Sequence, residues 1–125
     1  MKRIDIYFLL LAVVLLLCGV GLGIKMGMAE DFTLTPVHAH LNLAGWASLA
    51  LFGLVYRAYP QLAERRLAMF HFILSGTGAV LLPIGIGLAV LRAQPTLAIV
   101  SSLLWAGGAL LFFIQLLSLL AAKER

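Results

Sequence analysis

The segment Ile6–Ile24, IYFLLLAVVLLLCGVGLGI, decides the fold class, because no charged residue interrupts it. At about 1.5 Å per helical residue, it is long enough to cross a hydrocarbon core of about 30 Å. It follows a basic start, Met1-Lys2-Arg3, and Gly27–Ala29 would suit a signal-peptide cleavage site. The apolar run exceeds the about 7–15 residues of a signal-peptide core, so we expect a retained transmembrane helix.

The rest of the 125-residue chain has the same character: 63% of its residues are hydrophobic and 11% are charged. An average soluble domain has about a quarter charged residues, and a single cysteine excludes a disulfide scaffold. The charges fall at the termini and in three short junctions, which separate four apolar stretches. We predict one all-α domain, residues 1–125, with transmembrane helices near Ile4–Ile24, Pro36–Tyr59, Leu67–Leu91 and Pro95–Ala122.

The basic residues predict the orientation of these four spans. With the N-terminus inside, seven Lys or Arg residues lie on the inner side and two on the outer side, a clear positive-inside bias. We therefore expect both termini in the cytoplasm, at a bacterial-type inner membrane, and the net charge of +4 needs no nucleic acid partner. The inner residues are Lys2, Arg3, Arg57, Arg65, Arg66, Lys123 and Arg125, and the outer ones are Lys25 and Arg92.

Polar residues inside the predicted spans are few, and each is costly in hydrocarbon. The strongest group is His38-Ala39-His40-Leu41-Asn42, near the outer start of the second span. Two residues subtend about 200° on a helix, so the rings of His38 and His40 should point to opposite sides, about 3 Å apart along the axis. One helix would then present one imidazole to each of two pockets, rather than both imidazoles to one ion.

Three interpretations of this histidine pair are open. Neutral imidazoles ligate haem iron, which makes His38 and His40 candidates for holding haem. A zinc or copper site could instead be completed by Glu30 and Asp31 from the outer loop. Both rings could also be ordinary interfacial side chains. No Asp or Glu falls in the central part of any predicted span, which argues against a proton pump.

The other polar or small residues favour structural roles. His71 lies at the opposite end of the third span, too far in depth to share the first site, and should be a packed or interfacial histidine. Gln115 should join helices by hydrogen bonds, and Cys18 should act as a small hydrophobe. Gly19-x-x-x-Gly23 predicts close helix packing, or else a cofactor edge lying against the glycine face. Interfacial aromatic belts are expected at Tyr7, Trp46, Tyr56, Tyr59 and Trp105.

A family resemblance is carried by one part of the second span. The run His38-Ala39-His40-Leu41-Asn42-Leu43-Ala44-Gly45-Trp46, continuing through Leu51–Arg57, resembles the catalytic subunit of the haem–copper oxidase superfamily. It is similar to the helices of that subunit that begin at the outer face with haem-binding histidines. In residues the resemblance covers about Pro36–Pro60. In topology it covers the whole chain, because that subunit has three four-helix arcs and this chain resembles one arc.

The resemblance implies a bis-histidine b-type cytochrome, built as a homotrimer with up to three haem b groups. His38 would face one pocket and His40 the next, so that each haem receives one imidazole from each of two subunits. Asn42 and Trp46 would be supporting residues.

The departures from the family pattern argue against an oxidase. The family's oxygen-reducing centre needs a second metal, with histidines at the outer end of an in-to-out helix, and Leu88–Arg92 has none. Acidic proton-channel residues are missing as well. Electron transfer or haem sensing therefore fits better than catalysis. Two alternatives are an enzyme acting on oxygen or nitric oxide at an open haem, and a cofactor-free assembly subunit of a respiratory complex.

Overall fold

A computed structural model describes residues 3–123, and side chains as far as residue 121. These residues form four long helices: α1 (Ile4–Ala29), α2 (Thr35–Ala58), α3 (Arg66–Arg92) and α4 (Thr96–Lys123). A one-turn helix, Pro60–Ala63, lies between α2 and α3. All four long helices are apolar and long enough to cross a membrane, which confirms the all-α class and the number of predicted spans.

The largest departure from the predicted helix bounds is at the end of α1. The helix continues past Ile24 to Ala29, because the one charged side chain on this turn, Lys25, does not break a helix. Glu30 ends it in a left-handed conformation, with φ 52° and ψ 29°. This is the geometry of a helix C-terminal cap. Ala93 ends α3 in the same way, with φ 53°.

The short turn after Ala93 makes α3 and α4 antiparallel neighbours, and they form the most extensive helix pair among the described residues. Two glycines of α3 allow the close approach. A Cβ at Gly78 would lie 2.7 Å from the backbone nitrogen of Trp105, and a Cβ at Gly85 would lie 2.7 Å from the Cα of Ala98. Glycine is required at both positions, because a side chain would push the two backbones apart.

The first helix packs along α2, and α2 packs on α3. At one end of the bundle, the carboxylate of Asp5 accepts a hydrogen bond from the Arg57 guanidinium at 3.2 Å, which joins α1 to α2. We call this the basic end, because Arg65 and Arg66 also lie there. We call the opposite end, where α2 begins, the histidine end. The contacts of α1 with α2, of α2 with α3 and of α3 with α4 place the helices side by side in chain order.

An aromatic cluster near the basic end joins all four helices. The ring of His71 in α3 has three phenylalanine neighbours, with centroids 4.9 Å away for Phe8, 4.6 Å for Phe52 and 5.1 Å for Phe112. Tyr56 packs against the same ring at 5.7 Å. We call these five residues the aromatic core. Tyr56 is 1% exposed, so its assignment to an interfacial belt is wrong.

We expect Gly85→Ala to destabilise the protein, because the added methyl group meets the backbone of α4. Overpacking of this kind costs about 1–3 kcal/mol. The matched control is Gly21→Ala in α1, where an added Cβ would have no neighbour within 4 Å. This control should be neutral or stabilising, since alanine is the better helix former. Thermal unfolding in one detergent would compare them, and equal melting temperatures would contradict the close α3–α4 contact.

Candidate functional site

The two histidines lie in the first turns of α2, directly before a stretch of unusual backbone. The helix is α-helical over Thr35–His40, π-helical over Leu41–Ala47, and α-helical again from Ser48. π-Helical segments are rare and are often found at functional sites. This segment contains Asn42 and Trp46, so both predicted supporting residues lie on it.

Two carbonyl groups of the π-helical segment accept hydrogen bonds from side chains. The indole Nε1 of Trp105, in α4, donates a hydrogen bond to the carbonyl oxygen of Ala44 at 3.1 Å. The hydroxyl of Ser48 donates to the carbonyl oxygen of Leu43 at 2.7 Å. Each of these two carbonyl oxygens therefore has a hydrogen-bond partner, although the π-helical backbone differs from an α-helix. The bond from Trp105 also fixes α4 beside α2.

His38 is half-buried and faces α1. Its Nδ1 lies 2.8 Å from the carbonyl oxygen of Gly19. A Cβ at Gly23 would lie 2.8 Å from the Cε1 atom of the ring, so the glycine leaves the space that the imidazole occupies. One turn further along α2, Asn42 fits against Gly19 and donates from Nδ2 to the carbonyl oxygen of His38 at 2.9 Å. The Gly19–Gly23 pair therefore packs two helices and receives two polar side chains.

His40 is exposed and lies on the other side of α2. Its Nδ1 is 2.8 Å from the carbonyl oxygen of Pro36, one turn earlier in the same helix. The ring borders an open groove of about 440 Å³ between α2 and α4. Apart from His40 and the hydroxyl of Ser48, the groove has an apolar lining, which includes Leu43, Leu51 and the indole of Trp105.

The two imidazoles thus point to opposite sides of α2, as their two-residue spacing predicts. A carbonyl oxygen can only accept, so each Nδ1 carries the proton and each neutral ring keeps a lone pair on Nε2. Within the part of the chain whose side chains are described, neither Nε2 has a hydrogen-bond partner. Each ring is therefore oriented through one nitrogen and free to act as a ligand through the other.

The zinc or copper interpretation is wrong for the described residues, because no three His, Cys, Asp or Glu side chains among them form a group that could hold a metal ion. The carboxylate of Asp31 instead accepts hydrogen bonds from the Thr33 hydroxyl at 2.6 Å and the Thr33 backbone at 3.0 Å. Both bonds lower the pKa of Asp31, and the bond from the hydroxyl has the larger effect. Asp31 shapes the loop before α2.

Near the basic end, His71 belongs to a separate buried network. Its Nδ1 is 2.8 Å from the hydroxyl of Tyr56, and Gln115 donates from Nε2 to the same hydroxyl at 2.6 Å. His71 is therefore a packed histidine, and Gln115 joins α4 to α2, as predicted. Tyr56 was not predicted to lie in this network. Its signal in the sequence is the i, i+4 aromatic pair with Phe52, which marks one face of a helix.

Comparison of the chain with protein-family models, with curated proteins and with solved structures finds no match.

Replacing Tyr56 by Phe should destabilise the bundle, because His71 Nδ1 and Gln115 Nε2 would each lose a partner in a buried place. Leaving a buried polar atom unsatisfied costs about 1–3 kcal/mol. The matched control is Tyr59→Phe, since Tyr59 is 45% exposed. Thermal unfolding in detergent should show a clear loss for the first variant and little change for the second. Similar curves for both would mean that the Tyr56 hydroxyl is not bonded as described.

Proposed function

We propose that this chain is an integral membrane b-type cytochrome in which His38 and His40 each supply an axial imidazole to haem b. The observation that carries the proposal is the state of the two rings: both bond a backbone carbonyl through Nδ1 and keep Nε2 available. Metal-binding histidines in proteins have this arrangement. The resemblance of Pro36–Pro60 to haem-binding helices favours haem over other iron or copper sites.

The opposed directions of the rings require that the two ligands of one iron come from two chains. His40 borders a groove that is open at the surface of the chain. A second copy could place its His38 side against this groove and complete a six-coordinate site. In a homotrimer, three such pockets would each take His38 from one chain and His40 from the next. Three subunits are proposed because the chain resembles one of the three four-helix arcs of the family's catalytic subunit.

Haem bound between two imidazoles supports one-electron transfer. The residues of this chain would hold and orient it. The carbonyl groups of Gly19 and Pro36 fix the two ring orientations, and the apolar side chains of Leu43 and Leu51 would exclude water from the groove. The Trp105 N–H is already bonded to a carbonyl, so it would not donate a hydrogen bond into the groove. With both histidines used to hold iron, no coordination position would stay open, which favours electron transfer or haem sensing over oxygen chemistry.

We further propose that both termini are cytoplasmic, in a bacterial-type inner membrane, with the haem groups near the outer surface. The grouping of Arg57, Arg65 and Arg66 at the basic end supports this orientation. Lys2 and Arg125, which also entered the orientation prediction, lie outside the described residues, as does the side chain of Lys123.

The direct test is an absorption spectrum of the purified protein, oxidised and dithionite-reduced, with a pyridine haemochrome assay. We expect a sharp reduced α-band that carbon monoxide does not move. His38→Ala and His40→Ala should each lose most of the haem, whereas His71→Ala should keep it. A carbon monoxide shift would favour an enzyme with an open haem. A colourless protein, after haem is supplied during expression, would favour a cofactor-free subunit, and haem loss in His71→Ala alone would place the site elsewhere.

Co-expression of two defective chains tests whether the ligands come from different subunits. His38→Ala and His40→Ala chains, with different affinity tags, would be purified as mixed oligomers. A mixed cyclic trimer has one junction with both histidines intact, so it should hold about a third of the wild-type haem. Native mass spectrometry should give the trimer mass. No recovered haem in mixed trimers, or a monomer or dimer mass, would contradict the proposal.

A further inference from the structure

Three polar side-chain atoms near the basic end are buried and have no partner among the described residues. They are Nε2 of His71, Oγ of Ser75 and Oε1 of Gln115. All three residues are 0% exposed. In a bundle whose helices are apolar enough to cross a membrane, such atoms need partners inside the protein. His71 and Ser75 lie one turn apart on α3, and both face α4. Their unpartnered atoms therefore point to a ligand between the two helices.

The hydrogen bonds of Tyr56 indicate which of these atoms donate. Its Oη accepts the N–H of Gln115 at 2.6 Å, so its own O–H donates to Nδ1 of His71 at 2.8 Å. The proton of the neutral imidazole then lies on Nε2. The unpartnered set is thus a ring N–H donor, a hydroxyl that can donate and accept, and an amide oxygen that accepts.

Ser75 differs from the serines of α4. Ser101 donates from its hydroxyl to the carbonyl oxygen of Leu97 at 2.6 Å, and Ser102 donates to that of Ala98 at 2.7 Å. Bonding back to the preceding turn is the usual solution for serine in a helix. Ser75 makes no such bond, although Ser101 is equally buried. Its hydroxyl faces Gly108, where the missing side chain leaves room for it.

We infer that His71 and Ser75 bind water inside the bundle, between α3 and α4. His71 and Ser75 are four residues apart on one helix face, where Cβ atoms lie about 5–6 Å apart. One water molecule can bridge that separation, accepting from the ring N–H and bonding the hydroxyl. A buried water typically makes about three hydrogen bonds, so it can bond both side chains.

The chemistry of these two atoms selects water over an ion. A metal cation would be repelled by the N–H of His71, and burying an anion here without a paired charge would be costly. Water both donates and accepts, so it can satisfy both groups. The result is a hydrogen-bonded chain from Ser75 through water, His71 and Tyr56 to Gln115. This site is separate from His38 and His40, and the inference does not depend on haem binding.

The test is solid-state NMR of the full chain in lipid bilayers, with histidine labelled by ¹⁵N and magnetisation transferred from water. Dithionite would keep any bound low-spin haem diamagnetic. We expect transfer to Nε2 of His71 in the wild type, a several-fold weaker signal in Ser75→Ala, and an unchanged signal in the matched control Ser101→Ala. The His71 signal is assigned by its absence in His71→Gln.

Two results would overturn the inference. One is the absence of water transfer to His71 in the wild-type protein, which would mean that the site is dry. The other is an equal signal in Ser75→Ala and Ser101→Ala, which would mean that the Ser75 hydroxyl does not hold the water. If Ser75→Ala does not fold, the wild-type spectrum decides by itself.

Discussion

Polar side chains buried in this bundle need hydrogen-bond partners inside it, and this constraint arranges the aromatic core. Near the basic end, the hydroxyl of Tyr56 receives Gln115 from α4 and bonds His71 from α3, so one atom joins three helices. Phe8 of α1 packs on the same rings and adds the fourth helix. The packing of the helices in chain order brings these partners together.

At the histidine end the two imidazoles are bonded by backbone carbonyl groups instead. His38 bonds the carbonyl of Gly19 and His40 that of Pro36, so both rings are held without using a second side chain. The absence of a side chain at Gly23 lets α1 approach the His38 ring. Glycine thus has two roles in this protein. Gly23 leaves space for a side chain, whereas Gly78 and Gly85 serve only to bring α3 and α4 together.

The π-helical segment Leu41–Ala47 connects these two ends within α2. A π-helical stretch has more residues per turn than an α-helix, so it changes which side chains share a face before and after it. The histidines lie before it, and Phe52 and Tyr56 of the aromatic core lie after it. Trp105 holds the segment from α4 through the Ala44 carbonyl. The proposed ligand site and the buried network therefore share one helix but have separate partners.

The sequence by itself determined the all-α class, the four long apolar helices and their bounds to within about a turn, because long uncharged runs are a local property. It also determined that His38 and His40 diverge, since two residues on a helix fix an angle. Only the tertiary structure decided that Tyr56 is buried and that Gly19 supplies the acceptor for His38. Both depend on contacts between helices far apart in the chain. Residue spacing alone encodes neither.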